Sequence, residues 1–261
     1  MSTSLFFTGP AVILLYNSPM SIKWKVKKLK ECESTFTEAR NLPPWSVVSS
    51  VRQHKGRGRF NRAWFGEEGG LWANFNLPTE DKASRPWGLM PLVAGVALID
   101  TLAAYHIKGL RLRWPNDLLV NRNKLAGILV ERPSAHMVSV GIGINVYNNL
   151  VKIQGMTTDV PVRLVDLIPN ACPTVDELRD HLADELAKVF NDFIQNGSEP
   201  ILTRLEQAWG PSLPVVAITD TERICGFFSG IEADGSPILK KVDGSTIIVP
   251  AITINRMKEL V

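Results

Sequence analysis

Cysteine is scarce in this chain, and the three present, Cys32, Cys172 and Cys225, are widely spaced with no C-x-x-C pair. An odd, scattered set builds neither a disulfide framework nor a cysteine-rich zinc site, and it fits a reducing compartment. His54, His106, His136 and His181 have no ligand-like spacing either. There is no Walker loop, no H-E-x-x-H and no G-x-S-x-G elbow, so P-loop, zincin and α/β-hydrolase chemistries find no support. Long hydrophobic runs are also missing. The most apolar N-terminal stretch, residues 5–16, is broken by Gly9-Pro10, follows no basic residue and is too short to span a bilayer. It reads as a buried strand, and the protein as cytoplasmic. Nor is there a large charge of one sign: a net +3 implies no general polyanion-binding surface, so any basic function must be local.

What is present is an ordinary globular composition, 45% hydrophobic and 21% charged over 261 residues, enough for a mid-sized domain and a small one. Strands are expected over 11–30, from the apolar run to the alternating Ile22-Lys23-Trp24-Lys25-Val26, and again over 45–51 and 71–77. Ser34 or Thr35 could cap a short helix through Arg40. A long loop rich in Gly and Arg is expected at 52–70, and a loop of that length is usually functional or disordered. Residues 88–104 read as a mostly apolar helix; 110–114 and 118–120 as short strands around the turn Pro115-Asn116-Asp117; 125–131 and 137–146 as strands. Thr174 and Glu177 have capping-box spacing ahead of the stripe Leu178, Leu182, Leu186, Phe190 and Phe193. A helix over 199–209 precedes Gly210-Pro211 and Pro214, a plausible domain boundary. Short β segments punctuated by Asp220-Thr221, Asp234-Gly235 and Asp243-Gly244 then suggest a small SH3-like barrel. The class is α+β.

Three stretches carry chemistry. Arg52-Gln53-His54-Lys55-Gly56-Arg57-Gly58-Arg59-Phe60-Asn61-Arg62 packs basic side chains and glycines together. Guanidinium groups make fixed, multidentate bonds to carboxylate and phosphate, and glycine lets backbone approach a ligand. A small anion, a nucleic-acid contact and a solvated basic loop all remain open for it. Arg113-Trp114-Pro115-Asn116-Asp117 leads to Lys124-Leu125-Ala126-Gly127-Ile128-Leu129-Val130-Glu131, where Lys124 either reaches into a pocket as a point charge or sits at a surface turn. In Gly141-Ile142-Gly143-Ile144-Asn145, alternate glycines clear one strand face for a planar ligand, or simply allow tight sheet packing.

Taken together these stretches resemble the biotin–protein ligase family in content, order and spacing. The family pattern runs Ser-Thr, Q-x-x-G-R-G-R-x-x-R-x-W, W-P-N-D, K-L-x-G-I-L-x-E and G-x-G-I-N. This chain has Ser34-Thr35, Gln53 to Trp64, Trp114 to Asp117, Lys124 to Glu131 and Gly141 to Asn145, and the resemblance covers roughly 22–261. It implies a mixed-sheet catalytic domain of the class II synthetase-like type over 1–210, and the SH3-like β domain over 211–261. It also implies ATP, Mg²⁺ and biotin, a biotinyl-5'-AMP intermediate, and the apo form of a biotin carboxyl carrier domain as acceptor. Ser34, Thr35 and Gln53 would then hold or line the ureido head. Gly56, Arg57, Gly58 and Arg59 would close over carboxylate and phosphate, with Arg62 and Trp64 shaping the ATP side. Lys124 would contact carboxylate and α-phosphate. Trp114 belongs to the W-P-N-D substrate site; Asn116, Asp117 and Asn145 would help place ATP and Mg²⁺. Gly127, Gly141 and Gly143 would leave room for ligand.

The match has departures. Lys55 replaces a small residue, Phe60 and Asn61 interrupt an Arg- and Gly-rich region, Leu71-Trp72-Ala73-Asn74 replaces L-Y-x-S, and residues 147–165 match weakly. Few residues precede the catalytic region, so a ligase without a winged helix-turn-helix, DNA contact or membrane contact is expected. An exposed sheet edge could serve both carrier docking and a homodimer. A lipoate or octanoate ligase of the same fold is the nearest alternative; a nucleic-acid-binding module using the basic loop is the alternative of another class.

Overall fold

The structure, a computed structural model, describes residues 22–79, 86–151 and 160–260. The apolar start of the strand expected over 11–30 lies outside them; its continuation appears as β1 (Lys25–Cys32). The remaining elements of the main sheet are β2 (Ser46–Arg57), β3 (Ala63–Gly66), β4 (Leu71–Pro78), β5 (Leu110–Arg113), β6 (Asp117–Val120), β7 (Asn123–Ser134) and β8 (Met137–Ile144). Their order is β1-β2-β4-β8-β7-β6-β5, with β3 paired to β2. Among these strands β1 and β2 pair parallel and the other pairs are antiparallel, so the sheet is mixed.

The two faces of this sheet have opposite chemistry, and strand alternation explains why. On β4, Leu71, Ala73, Phe75 and Leu77 alternate with Trp72, Asn74 and Asn76; on β8, Val138, Val140, Ile142 and Ile144 alternate with Ser139, Gly141 and Gly143. The aliphatic set joins the main core with α2 (Met90–Ala103), α4 (Val175–Asn196) and α5 (Glu199–Ala208). The polar and glycine set faces the other way. There α1 (Thr35–Ala39) packs, with the Phe36 ring against Gly141. Between β8 and α4 lies α3 (Leu164–Leu167).

Helix ends follow the sequence closely in one case and not in another. Thr174 and Glu177 form the expected capping box: the Glu177 backbone N–H donates to Thr174 Oγ1 at 3.2 Å, and Thr174 N–H donates to Glu177 Oε2 at 2.9 Å. Ser34 stands at the N-cap of α1, but its hydroxyl makes no capping bond. The helix expected over 88–104 opens with a 3₁₀ turn, Trp87–Leu89, before α2 begins at Met90.

The long loop expected at 52–70 is largely a hairpin. β2 continues to Arg57 and returns as β3, pairing Gly56 with Trp64 and Arg57 with Ala63. Buried or crowded backbone groups need partners, and the ladder supplies them where a loop would not. Lys55 N–H also donates to Glu33 O, and Gly58 N–H to Arg62 O, each at 2.7 Å. The tip is unusual: Phe60 and Asn61 have φ of 56° and 54°, a region a bulky side chain enters only at a cost.

A second sheet follows, made of β9 (Pro214–Ile218), β10 (Arg223–Ile231), β11 (Pro237–Lys240), β12 (Thr246–Ile248) and β13 (Arg256–Glu259), in the order β12-β11-β10-β9-β13. The D-G turns are as expected, with Gly235 and Gly244 at φ of 91° and 87°. The expected barrel is not: among the described residues β12 and β13 do not pair, so the sheet is open. Arg111 ties the two sheets, donating from Nη1 and Nη2 to the two carboxylate oxygens of Glu259, each at 2.6 Å. Trp114 Nε1 adds a bond to Gly235 O at 2.9 Å.

Candidate active site

Sheet register puts four of the motif residues in one line. Ser50, Trp72, Gly143, Gly127, Asp117 and Arg113 are successive cross-strand partners over β2, β4, β8, β7, β6 and β5. Cross-strand partners share a face, so W-P-N-D, K-L-x-G and G-x-G-I-N meet on the side away from α2, α4 and α5, the side on which α1 packs. Lys124 joins them. Its Nζ is 2.5 Å from Asp117 Oδ1 and 5.2 Å from the Trp64 ring centre, while Arg113 donates to Asp117 Oδ2 at 2.5 Å. Two cations therefore share one carboxylate and leave a surplus positive charge.

Lys124 is the second residue of β7, where the sequence placed it just before the strand. Its backbone is fixed from both sides: Lys124 N–H donates to Val160 O at 2.8 Å and Val162 N–H to Lys124 O at 3.0 Å. Asn116 is a clamp. Its Nδ2 donates to Ile128 O at 2.8 Å and its carbonyl accepts from Ile128 N–H at 2.9 Å, so the turn carrying Asp117 is stitched to β7. Asn145 lies at the end of β8, with Nδ2 3.5 Å from Lys124 O and Oδ1 accepting from Asn148 Nδ2 at 3.0 Å.

The hairpin lays its arginines over this face. Arg57 reaches Glu131 of β7 at 3.1 Å and stands 6.0 Å from the Phe36 ring centre. Arg59 lies over Trp114, 5.8 Å from the ring centre, and donates to Ile254 O at 3.4 Å. Burial, then the nearby Arg62, pull the Arg59 guanidinium below the ordinary arginine value, with Asp117 opposing them. It stays charged all the same. Arg62 donates from Nε to Arg59 O at 3.3 Å. At the other end, Gln53 Oε1 accepts from Thr35 N–H at 2.8 Å and from Thr35 Oγ1 at 3.0 Å. Gly56 is required beside it, because a Cβ there would come within 2.3 Å of Gln53 Nε2.

The glycines have a function the sequence did not reveal. A Cβ on Gly141 would meet the Phe36 ring at 2.4 Å; on Gly127 and Gly143 it would meet the Trp64 indole at 2.7 and 2.6 Å. In this conformation the cleared strand face holds the protein's own aromatics, and Trp64 Nε1 is buried there without a partner. A cleft of about 330 Å³ lies elsewhere, at the junction of α5 with β10 and β11, and none of these residues lines it. Sequence reasoning also passed over Arg113 as Asp117's second cation, and Asn76 and Ser139, which form a buried polar row with Asn74, a residue noted only as a departure from the family pattern. Strict alternation on β4 was the available signal, since the polar half of the strand is as buried as the apolar half.

The basic stretch is not a bare cationic surface. Arg52 pairs with Glu68, His54 with Glu31, Lys55 with Glu33 and Arg57 with Glu131. Four of its six basic side chains are thus occupied by carboxylates, which reduces the charge available for the counterion release on which nucleic-acid affinity depends. Among the described residues no cluster of three His, Cys, Asp or Glu could hold a metal. Asp117, with both oxygens on cations, does not suit a bare Mg²⁺, which prefers one or two free carboxylates together with substrate phosphates. The expected Mg²⁺ site near Asp117 or Asn145 therefore lacks a donor set of its own.

Comparison with known proteins agrees with this geometry. Residues 22–145 match the biotin/lipoate A/B protein ligase family. The chain is 30% identical over 242 residues to the biotin--[acetyl-CoA-carboxylase] ligase of Paracoccus denitrificans, covering 85% of this chain and 97% of that one. It is 29% identical over 216 residues to the bifunctional ligase/repressor BirA of Bacillus spizizenii, covering 78% of this chain and 64% of that protein. It shares its fold with the biotin protein ligase from Aquifex aeolicus in complex with biotin and ATP, at a TM-score of 0.79 and 24% identity over 90% of this chain and 99% of the other. Motifs, mixed sheet and relatives thus agree: the chain belongs to the biotin–protein ligases of the biotin/lipoate A/B protein ligase family.

Proposed function

We propose that the chain is an ATP-dependent ligase that makes biotinyl-5'-AMP and transfers the biotinyl group to a lysine of an apo biotin carboxyl carrier domain. One observation carries this reading: Lys124 and Arg113 both bind Asp117, with Arg59 nearby, above a floor of glycines. Carboxylate and triphosphate repel each other, and the excess of cations lets them approach. A biotin carboxylate oxygen attacks the α-phosphorus, and pyrophosphate leaves. The acceptor amine then attacks the acyl carbonyl, AMP leaves, and the amine gives up a proton. Mg²⁺ arriving with ATP would offset phosphate charge without a carboxylate set of its own among the described residues.

In this reading Thr35, Gln53 and Ser34 bind the polar head, Lys124 and Arg57 meet the anions, and Gly56 and Gly58 let the hairpin close. Trp114, Asn116 and Asn145 position those groups from behind, while Arg62 and Trp64 border the nucleotide. Residues 1–210 form the catalytic unit and 211–261 a small β unit built on the open second sheet. We place the protein in the cytoplasm, consistent with three free thiols. No helix among the described residues is long and apolar enough to cross a membrane. Sheet edges at β1 and β5 offer a route to self-association as a homodimer.

The test offers biotin, lipoate or octanoate with ATP and a carrier domain, and reads the carrier's intact mass. Biotin alone is expected to add mass; a gain with lipoate or octanoate instead reassigns the acyl group. Salt-sensitive binding to random duplex would favour the nucleic-acid reading.

Arg59→Gly tests the closing hairpin. Arg59 sits between Trp114 and the backbone of Ile254, so its loss leaves the fold intact and loosens the lid. Removing a charge-assisted contact of this kind is expected to speed release of biotinyl-adenylate by roughly 10- to 100-fold. Unchanged retention of the adenylate would detach Arg59 from closure.

A further inference from the structure

Ser34 Oγ, Trp64 Nε1 and Asn74 Nδ2 are buried on the motif face without a hydrogen-bond partner. Asn74 is fully buried, and its cross-strand partner is Gly141, the residue under the Phe36 ring. The next row along the same face is Asn76 and Ser139.

Hydrogen-bond counting fixes what Asn74 presents. Asn76 Nδ2 donates to Ala39 O at 2.8 Å and Leu42 O at 3.0 Å, which uses both amide protons and leaves Oδ1 as an acceptor. Ser139 Oγ, 2.5 Å from that oxygen, must donate to it. A hydroxyl has one proton, so Ser139 cannot also donate to Asn74, 3.3 Å away; it can only accept. A half-turn of the Asn74 carboxamide, whose two ends have nearly the same shape, offers Nδ2 to Ser139. Oδ1 then becomes the buried atom in need of a partner. Turned this way, the atom lacks a donor, and a ligand N–H can supply one.

We infer that Asn74 Oδ1 accepts an N–H from the head group of the acyl substrate, so that the chain Asn76–Ser139–Asn74 selects a cyclic urea over a dithiolane or an alkyl end. This rests on the ligase function proposed above and deepens it. A urea ring carries two N–H donors on a compact apolar frame. Lipoate and octanoate bring none, and their binding would bury the acceptor unpaired. Sites built to hydrogen-bond a substrate reject analogues lacking the group far more strongly than apolar pockets reject a change of size. Asn74 is thus a specificity-determining residue at a position where the resemblance leads one to expect serine.

The experiment measures binding of biotin, octanoate and a biotin methylated on one ureido nitrogen, by calorimetry without ATP, to the parent, Asn74→Leu and Ser139→Ala proteins. Asn74→Leu is expected to weaken biotin by about 10- to 100-fold while octanoate stays within about threefold. Ser139→Ala, which frees the amide to turn, is expected to weaken biotin by about 3- to 10-fold. N-methylation should weaken binding to the parent much more than to Asn74→Leu. A Leu variant that melts with the parent yet keeps its biotin affinity, or loses both acids equally, overturns the inference. If that variant does not fold, a parent that binds methylated biotin as tightly as biotin, or an unaltered Ser139→Ala, overturns it. A parent that binds no biotin at all overturns the ligase reading first.

Discussion

Lys124→Ala is expected to slow biotin-dependent pyrophosphate release by about 10²- to 10³-fold, the usual loss when one preorganised group facing developing charge is removed. The amine is held in place from three directions: by Asp117, by the Trp64 ring, and by a backbone bridged to Pro161. Taking it away leaves Asp117 and Arg113 to cancel each other, and the positive surplus disappears. The side chain is 22% exposed, so its truncation opens no large hole and stability should change little. Lys124→Arg is a useful control, because a planar fork cannot replace a compact point charge beneath an indole. A Lys124→Ala protein that releases pyrophosphate at the parent's rate would remove this residue from the mechanism.

The second large effect falls on stability. Arg111 and Glu259 form a two-pronged pair whose side chains are 10% and 15% exposed, and Arg111 Nε also donates to Asn121 O at 3.0 Å. Arg111→Ala strands a buried carboxylate, and breaking one side of such a pair costs about 3–5 kcal/mol. In a chain of this size that is expected to lower the thermal midpoint by roughly 10 °C. The paired change Arg111→Met with Glu259→Leu should recover most of the loss, since apolar replacements of similar volume remove the desolvation burden along with the attraction. Thermal unfolding of the three variants decides it. Equal midpoints for the parent and Arg111→Ala would mean that the C-terminal sheet is held without help from the Arg111–Glu259 pair.

Much of this architecture can be read in the sequence because it depends on local periodicity. Thr174 and Glu177 announce α4 through a three-residue spacing, and Gly235 and Gly244 mark turns that need a left-handed backbone. Long-range pairing is what escaped. Nothing local in Arg52 to Arg62 distinguishes a loop from a hairpin; that depends on whether Ala63 to Gly66 returns alongside, which is a tertiary fact. The motif residues were identifiable by type, but the line from Gly143 to Arg113 exists only through strand register. Asn74 and Ser139, far apart in the chain, become neighbours in the same way.

Trp64 gives the last point. An indole resting on Gly127 and Gly143, with the Lys124 ammonium 5.2 Å from its ring centre and its nitrogen bonded to nothing, is held by contact and cation–π attraction rather than by hydrogen bonds. A flat guest taking that berth exchanges one stacked surface for another and breaks no hydrogen bond on entry.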